Sequence, residues 1–349
     1  MRAVKAPLLV PAGAKVAVLS PAWAAPAYFP ELHAQSMRRI EDRLGLEVVE
    51  YPTTRALGAS PEHRAADVNA AFADPSIRAI LTSIGGDDQI RVLPHLDPSL
   101  PQADPKPFFG YSDNTNILAW LFSHGVGSFH GGSTMVHLGP GPRPDTQHLT
   151  SLRAALFGTG DLELTLPDGS EDFGLDFADP ATLTEAAPRE PAVPLEFFGP
   201  TGPVRGATWG GCLEVLDQWA WAGLLPPAAD LEGAILIFET SEVLPAPDLV
   251  GRWMRGMGER GYLEVAAGLV LARPVVNIRE SPLSPAERAQ RRAAQRDYAL
   301  AEISRYAPTL PVCVGLPFGH TKPQYILPYG GQITVDPGRA TVTAHFGRG

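Results

Sequence analysis

Three side chains in this sequence are of the right types to act together on a carbonyl: Ser112, Glu239 and His320. A serine hydroxyl becomes a nucleophile only when a base lies within hydrogen-bond reach, and that base needs a carboxylate to orient it. Each of the three follows a strand-like run. Ser112 ends the apolar run 107–111 and precedes a helical pattern from about Asp113, with Ile117, Leu118, Leu121 and Phe122 on one face. A serine on so abrupt a strand-to-helix turn projects its hydroxyl above the sheet, beside a helix N-terminus that favours negative charge. Asp113, Asn114 and Thr115 suit the first turn of that helix, because their oxygens can accept from unpaired backbone N–H groups. Glu239 ends the apolar run AILIFE, and His320 lies in the Gly/Pro loop GLPFGHTKP, which can present an imidazole rigidly. Plainer readings stand beside these. Ser112 serves equally as a helix cap, Glu239 as the point where a strand meets solvent, and His320 as a surface histidine, one of 9 in the chain. Glu214 and Glu242 are rival acids, the first read as structural on a helix, the second as solvated past a strand end.

The chain order serine, acid, histidine is that of the α/β-hydrolases. Their elbow reads G-x-S-x-G, however, and Gly110-Tyr111-Ser112-Asp113-Asn114 lacks the second glycine. This argues against a standard member of that fold. His130-Gly131-Gly132 resembles an esterase oxyanion loop but follows the serine instead of preceding it, and is discounted.

The elements that must position these residues alternate through the first 150 positions. Strand-like runs at 15–19, 46–51, 77–84 and 107–111 are separated by helical patterns at 30–44, 61–73 and, shorter, 89–93. Ser60 before Pro61 is a helix start with proline at its first position. Such alternation predicts a parallel sheet with helices on both faces, whose site lies at the carboxyl ends of the strands. Ser20, Gly85-Gly86 and Ser112 all occupy such ends. The pattern stops near Pro140. Residues 161–203 are rich in Pro, Asp and Glu with little periodicity, and read as linker and irregular segment. Order resumes with Trp209-Gly210-Gly211, read as a Gly-rich turn, followed by a helix, a strand at 233–238, a charged helix at 285–306 capped by Ser284, and a C-terminal hairpin.

Composition excludes several classes. At 349 residues, two domains are expected. With 38 acidic against 28 basic residues the net charge is −10, which disfavours nucleic acid as a partner. The two cysteines, Cys212 and Cys313, lie in apolar sequence and read as buried free thiols, and no Cys/His spacing implies zinc. No apolar run is long enough for a membrane span, and no signal-like segment opens the chain. The expectation is a soluble, cytoplasmic protein.

At this point larger blocks come into view. GYSDNT, preceded by SIGGDDQIRVLPHLD, resembles the nucleophile region of the LD-carboxypeptidase family of serine peptidases. WGGCLEVL, ILIFETSE, LARP and GLPFGHTKPQYILPYG resemble that family's later blocks in the right order. The resemblance spans nearly the whole chain, and the GGCLE and ETSE forms look closer to the microcin C immunity peptidase branch than to the murein tetrapeptide carboxypeptidases.

The resemblance implies an α/β fold, with a flavodoxin/Rossmann-like parallel-sheet domain over about residues 1–150 and a β-rich α/β domain over about 191–349, joined by 151–190. It implies Ser112 as nucleophile, His320 as general base and Glu239 as its orienting carboxylate. The oxyanion hole then falls to the backbone N–H groups of Gly86 and Asp113, with Gly85 as a further donor. Glycine permits close backbone approach there. No metal or cofactor is needed, and a homodimer is expected. The substrate is a small peptide, either a muropeptide cut at an L–D bond or a peptidyl- or aminoacyl-nucleotide. A catalytically silent binding protein on the same fold is the reading from another class. The immunity branch stacks a tryptophan on the nucleobase; in the corresponding stretch here stand Phe197, Phe198 and Trp209. Arg91 is a further candidate for substrate binding.

Overall fold

The computed structural model describes residues 3–347. Two sheets carry the molecule. In the first, β1 (Lys15–Leu19), β2 (Glu47–Glu50), β3 (Ile77–Thr82), β4 (Phe108–Gly110) and β5 (Ser128–His130) are parallel neighbours in the order 2-1-3-4-5. This is the flavodoxin-like winding expected of alternating strands and helices. The strands read as short apolar runs because both faces are covered: Val16, Ala17, Val18, Ile80, Leu81, Phe108 and Phe109 are all fully buried. Helices Pro30–Leu44, Pro61–Ala73 and Thr115–Ser123 supply cover. Ser60 starts the second of these, its Oγ accepting from His63 N at 3.4 Å.

The second sheet has eight strands. After β6 (Asp161–Glu163), a two-residue ladder of β7 (Gly169–Ser170) and β8 (Glu190–Pro191) stands apart. There follow β9 (Glu196–Phe198), β10 (Val204–Cys212), β11 (Ile235–Glu239), β12 (Gly268–Ala272), β13 (Val312–Leu316), β14 (Leu327–Tyr329), β15 (Gln332–Asp336) and β16 (Thr341–His345). The sheet order is 6-16-15-10-11-12-13-9, with a parallel centre from β10 to β13 and antiparallel strands on both flanks. One strand crosses over. β14 pairs antiparallel with β5 and so becomes the edge of the first sheet, although both of its chain neighbours, β13 and β15, lie in the second.

The expected Gly-rich turn at Trp209-Gly210-Gly211 is not a turn. These residues lie inside β10, in register with Leu236, Ile237 and Phe238 of β11. The glycines answer to crowding: Gly210 has φ +144°, and a Cβ there would come within 2.0 Å of Ile237 O. Residues 161–203, read as irregular, are tied down by charge. Asp172 and Glu190 pair with Arg273, and both also pair with Arg292. Helix Pro285–Tyr306, which contributes Arg292, begins with a reciprocal capping box between Ser284 and Glu287. Among the described residues no helix is long and apolar enough to cross a membrane.

The backbone contact at Gly210 gives a direct stability test. Gly210→Ala should destabilise the fold by about 2–4 kcal/mol, combining positive-φ strain with overpacking against β11. Urea unfolding should show a lower midpoint at unchanged slope; an unchanged midpoint would mean the two strands can separate freely.

Candidate active site

The elbow after β4 is built around one residue in an unusual backbone state. Ser112 has φ +60°, one of three described non-glycine residues with positive φ. That left-handed conformation is disfavoured for a residue with a Cβ and persists only where its surroundings impose it. The surroundings here are explicit. Gly110 O accepts from Gly131 N at 2.8 Å, and a Cβ on Gly110 would meet Asn114 Cβ at 2.6 Å. Asp113 Oδ2 accepts from Gln89 N at 3.0 Å and Oδ1 from Asn116 Nδ2 at 2.9 Å. Asn114 accepts from Gln89 Nε2 at 2.7 Å and donates to Ile84 O at 3.1 Å.

These bonds correct the expected capping. Asp113 and Asn114 do not cap the following helix; they staple the Gly-Gly loop after β3 to the elbow. Residues Ser112–Asn114 form a 3₁₀ turn, and the α-helix begins at Thr115. Burial lifts the Asp113 carboxyl to about 6, against the lowering effect of the Gln89 N–H. Two further bonds reach the second sheet's side: Cys212 N donates to Thr115 Oγ1 at 3.2 Å, and Trp219 Nε1 to Asn116 Oδ1 at 2.7 Å.

The Gly-Gly loop lies against the serine. A Cβ on Gly85 would be 2.8 Å from both Cβ and Oγ of Ser112, and one on Gly86 would be 3.3 Å from Asp113 Oδ2. At Gly85 a side chain would collide with Ser112, and at Gly86 it would be tightly crowded. Among the described residues the backbone N–H groups of Gly85, Gly86 and Asp113 donate to no acceptor. Unspent donors beside a strained serine are what a developing oxyanion requires.

Glu239 and His320 come together from opposite ends of the second half of the chain. His320 Nδ1 lies 2.5 Å from Glu239 Oε2, with the two side chains 9% and 1% exposed. Gly319, at φ +73°, makes the contact possible, because a Cβ there would lie 2.7 Å from Glu239. Glu239 is therefore buried, not a strand end reaching solvent. The imidazole stands edge-on to the Tyr111 ring at 5.0 Å, one residue from Ser112, but no hydrogen bond joins it to Ser112 Oγ. Its Nε2 instead faces Glu242 Oε2 at 3.1 Å, from a side chain that is 65% exposed. Burial disfavours the imidazolium, yet Glu239, its hydrogen bond, Glu242 and the more distant Glu214 outweigh it and raise His320 to about 9. Glu214 itself accepts from Ser241 N and Oγ at 2.8 and 2.9 Å, a structural role.

The remaining candidates are placed elsewhere. Trp209 is fully buried and packs edge-on against Tyr262 at 5.4 Å, so its face is unavailable to a ligand. Phe197 and Phe198 lie on the edge strand β9, opposite Cys313 and Val312, and pack partly buried against the core. Arg91 is two-thirds exposed, 3.5 Å from Asp88.

Two features escaped the sequence reading. His130, discounted with its HGG motif, is fully buried with Nε2 3.9 Å from Glu239 Oε1, and neither atom has a hydrogen-bond partner. Trp23 and Tyr28, 40% and 57% exposed with ring centroids 5.7 Å apart, flank a cavity of about 520 Å³ that also includes Ser20, Leu57 and Gly86. The available signal was position: Trp23 stands just past the carboxyl end of β1.

Known proteins resemble this chain in sequence and in fold. The family model described as the LD-carboxypeptidase N-terminal domain matches residues 16–131, and that of the C-terminal domain matches residues 205–335. The microcin C7 self-immunity protein MccF of Escherichia coli is 26% identical over 283 residues, 79% of this chain and 76% of that protein. The murein tetrapeptide carboxypeptidase of Pseudomonas aeruginosa is 32% identical over 149 residues, 41% of this chain and 48% of that one. Among solved structures, the MccF-like protein from Streptococcus pneumoniae in complex with AMP superposes with a TM-score of 0.82 at 23% identity, covering 95% of this chain and 98% of the other. MccF in complex with aspartyl sulfamoyl adenosine does so at 0.77 and 22%, covering 99% and 98%.

The His320 proton predicts a pH signature in stability. An unfolded imidazole releases its proton near 6.5, whereas the folded one keeps it to about 9. Its stabilising contribution is therefore complete below about 6.5 and lost as pH rises through about 9. The difference in melting temperature between the unmodified protein and His320→Gln should be largest near pH 6 and shrink by pH 10. A constant difference would show that the imidazole holds no stabilising charge.

Proposed function

The chain belongs to the LD-carboxypeptidase family and is a serine-type carboxypeptidase; from that premise we propose that Ser112, His320 and Glu239 carry the reaction. Ser112 Oγ attacks the scissile carbonyl. His320 Nε2 takes the serine proton and passes it to the leaving amine, while Glu239 on Nδ1 holds the ring and stabilises the imidazolium. The N–H groups of Gly86 and Asp113, with Gly85 adjoining, receive the oxyanion, each such donor being worth about 2.7–4 kcal/mol when removed. Water then hydrolyses the acyl-enzyme. The observation that carries this reading is Ser112 itself, held at φ +60° against a glycine loop with unspent N–H groups.

For the substrate we propose an amide in a peptidyl- or aminoacyl-nucleotide. Two observations support it. Structural relatives are described in complex with AMP and with aspartyl sulfamoyl adenosine. This chain also offers the exposed ring of Trp23 in the cavity that includes Gly86, where a flat base could stack within reach of the elbow. Stacking thus falls to Trp23, in place of the buried Trp209.

Two measurements test the reading. Purified protein should release aminoacyl groups from an aminoacyl sulfamoyl adenosine, and Ser112→Ala should lower kcat by about 10⁴-fold or more. Full activity in that variant would remove Ser112 from the mechanism, and cleavage confined to a murein tetrapeptide would move the substrate to the cell wall. The second concerns pH. As His320 must be neutral to accept a proton, kcat/KM should climb with pH toward about 9. Glu242→Gln removes a carboxylate 3.1 Å from Nε2 and should shift that rising limb to lower pH. A limb that stays in place would mean Glu242 does not act on the base.

A further inference from the structure

We propose that Lys322 anchors an anionic group of the substrate, a carboxylate or a phosphate, in a cavity beside the elbow. The inference rests on the catalytic reading above and adds a residue that recognises charge.

Lys322 stands two positions after His320 and is 7% exposed. Its backbone is fixed by an antiparallel bridge to Glu171, with N–H···O distances of 2.8 and 3.1 Å in the two directions. Its ammonium, however, makes no hydrogen bond and no ion pair within 4 Å among the described residues, and abuts Gly174, where a Cβ would meet Nζ at 2.8 Å. Lys106 shows how this fold treats a structural lysine. That side chain is fully buried and donates to the carbonyls of Ala71, Phe72 and Asp74 at 2.9, 2.8 and 2.5 Å. A buried cation left without partners is costly unless something else supplies them.

The space for that partner is present. Lys322 lines a cavity of about 450 Å³ together with His137, Asp145, Glu171 and Arg189. Two of the cavity's carboxylates are paired with Arg189, Asp145 at 2.8 Å and Glu171 at 3.6 Å, and none lies within 4 Å of the Lys322 ammonium. Burial pushes the Glu171 carboxyl up, toward its neutral form, and holds His137 well below its ordinary value and so uncharged. The wall is mixed in charge, with Arg143 and Arg189 beside Lys322 and Asp145, Asp168, Glu171 and Glu185 among the acids. Burial also holds the Lys322 ammonium below its ordinary value, against the raising effect of Glu171 and Asp145. What singles Lys322 out is that its ammonium is buried without a hydrogen-bond or ion-pair partner among the described residues. The cavity also adjoins the chemistry, since His137 Nε2 lies 3.1 Å from the Tyr111 hydroxyl, one residue before Ser112. A carboxypeptidase must tell a free terminal carboxylate from an ordinary amide, and a nucleotide conjugate presents phosphoryl oxygens. An unpartnered buried ammonium serves either.

The test uses the whole protein with Lys322→Met, which keeps the stem, and Lys322→Arg, which keeps the charge. Activity is compared on a tetrapeptide ending in D-alanine as the free acid and as its C-terminal amide. Calorimetry compares AMP with adenosine, and N-acetyl-D-alanine with its amide. Lys322→Met should lose about 10- to 100-fold on the charged member of a pair, through KM, with the uncharged member unchanged and Lys322→Arg partly restored. It should also melt no lower than the unmodified protein. Discrimination in the AMP pair alone assigns phosphate, and in the peptide pair alone carboxylate. Equal losses on both members, or a marked fall in melting temperature, would make Lys322 structural and overturn the proposal. So would an unmodified protein whose binding ignores charge in every pair. If no substrate is cleaved, the catalytic reading fails, while the calorimetric pairs still decide Lys322.

Discussion

The constraint on which the site depends is the left-handed backbone at Ser112. A residue with a Cβ does not settle there by preference, so the fold must hold it from several sides at once. The glycine loop after β3 presses on the side chain, and Gly110 lets Asn114 close underneath. Asp113 and Asn114 spend their polar groups on Gln89, which ties that loop to the elbow. The same geometry that strains Ser112 holds its hydroxyl against the Gly85 backbone and leaves the N–H groups of Gly85, Gly86 and Asp113 without acceptors. Strain and unspent hydrogen-bonding capacity are thus one arrangement, and removing the glycines would abolish both.

Around the elbow the interior is unusually rich in ionisable groups. Glu239 and His320 neutralise each other, His130 lies behind them uncharged, and His137 stacks on His148 at 4.8 Å with both rings held neutral by burial. In so dry a setting a single uncompensated charge has far-reaching effects. Glu242, mostly exposed, adds enough negative potential at Nε2 to help keep His320 protonated at rest. A substrate that displaces Glu242 would therefore lower the affinity of the imidazole for its proton as it binds. In the proposed mechanism, substrate binding would then itself favour the neutral imidazole.

How much of this could be read from the residues alone depended on the range of the interaction concerned. Strand ends and helix starts are local, and Lys15–Leu19, Pro61–Ala73 and Pro285–Tyr306 lie where periodicity and capping put them. The meeting of Glu239 with His320 was foreshadowed by two strand ends and a rigid loop. The glycines at 210 and 211 misled, because crowding by a neighbouring strand and the freedom needed by a turn select the same residue. Trp209 was misplaced for that reason and lies in the core. The segment 161–203 shows no period because its order comes from Asp172 and Glu190 meeting Arg273 and Arg292, about a hundred positions away. The φ of Ser112 left no trace either, since serine is no marker of that conformation.

The crossing of β14 explains why a residue from the second half of the chain can face the elbow at all. β13 belongs to one sheet and β14 to the other, so the loop carrying His320 and Lys322 is anchored at each end to a different sheet. Within it, Gln324 accepts from Gly132 N at 2.9 Å and donates to Gly319 O, joining the loop to the turn after β5. Thr321 accepts from Arg273 at 2.8 Å, the same arginine that holds Asp172. His320, Lys322 and the segment around Asp172 are therefore tied into one hydrogen-bonded network. A shift between the two sheets would be felt first in this loop, which makes the distance from His320 to Ser112 the coordinate most sensitive to how the two sheets pack.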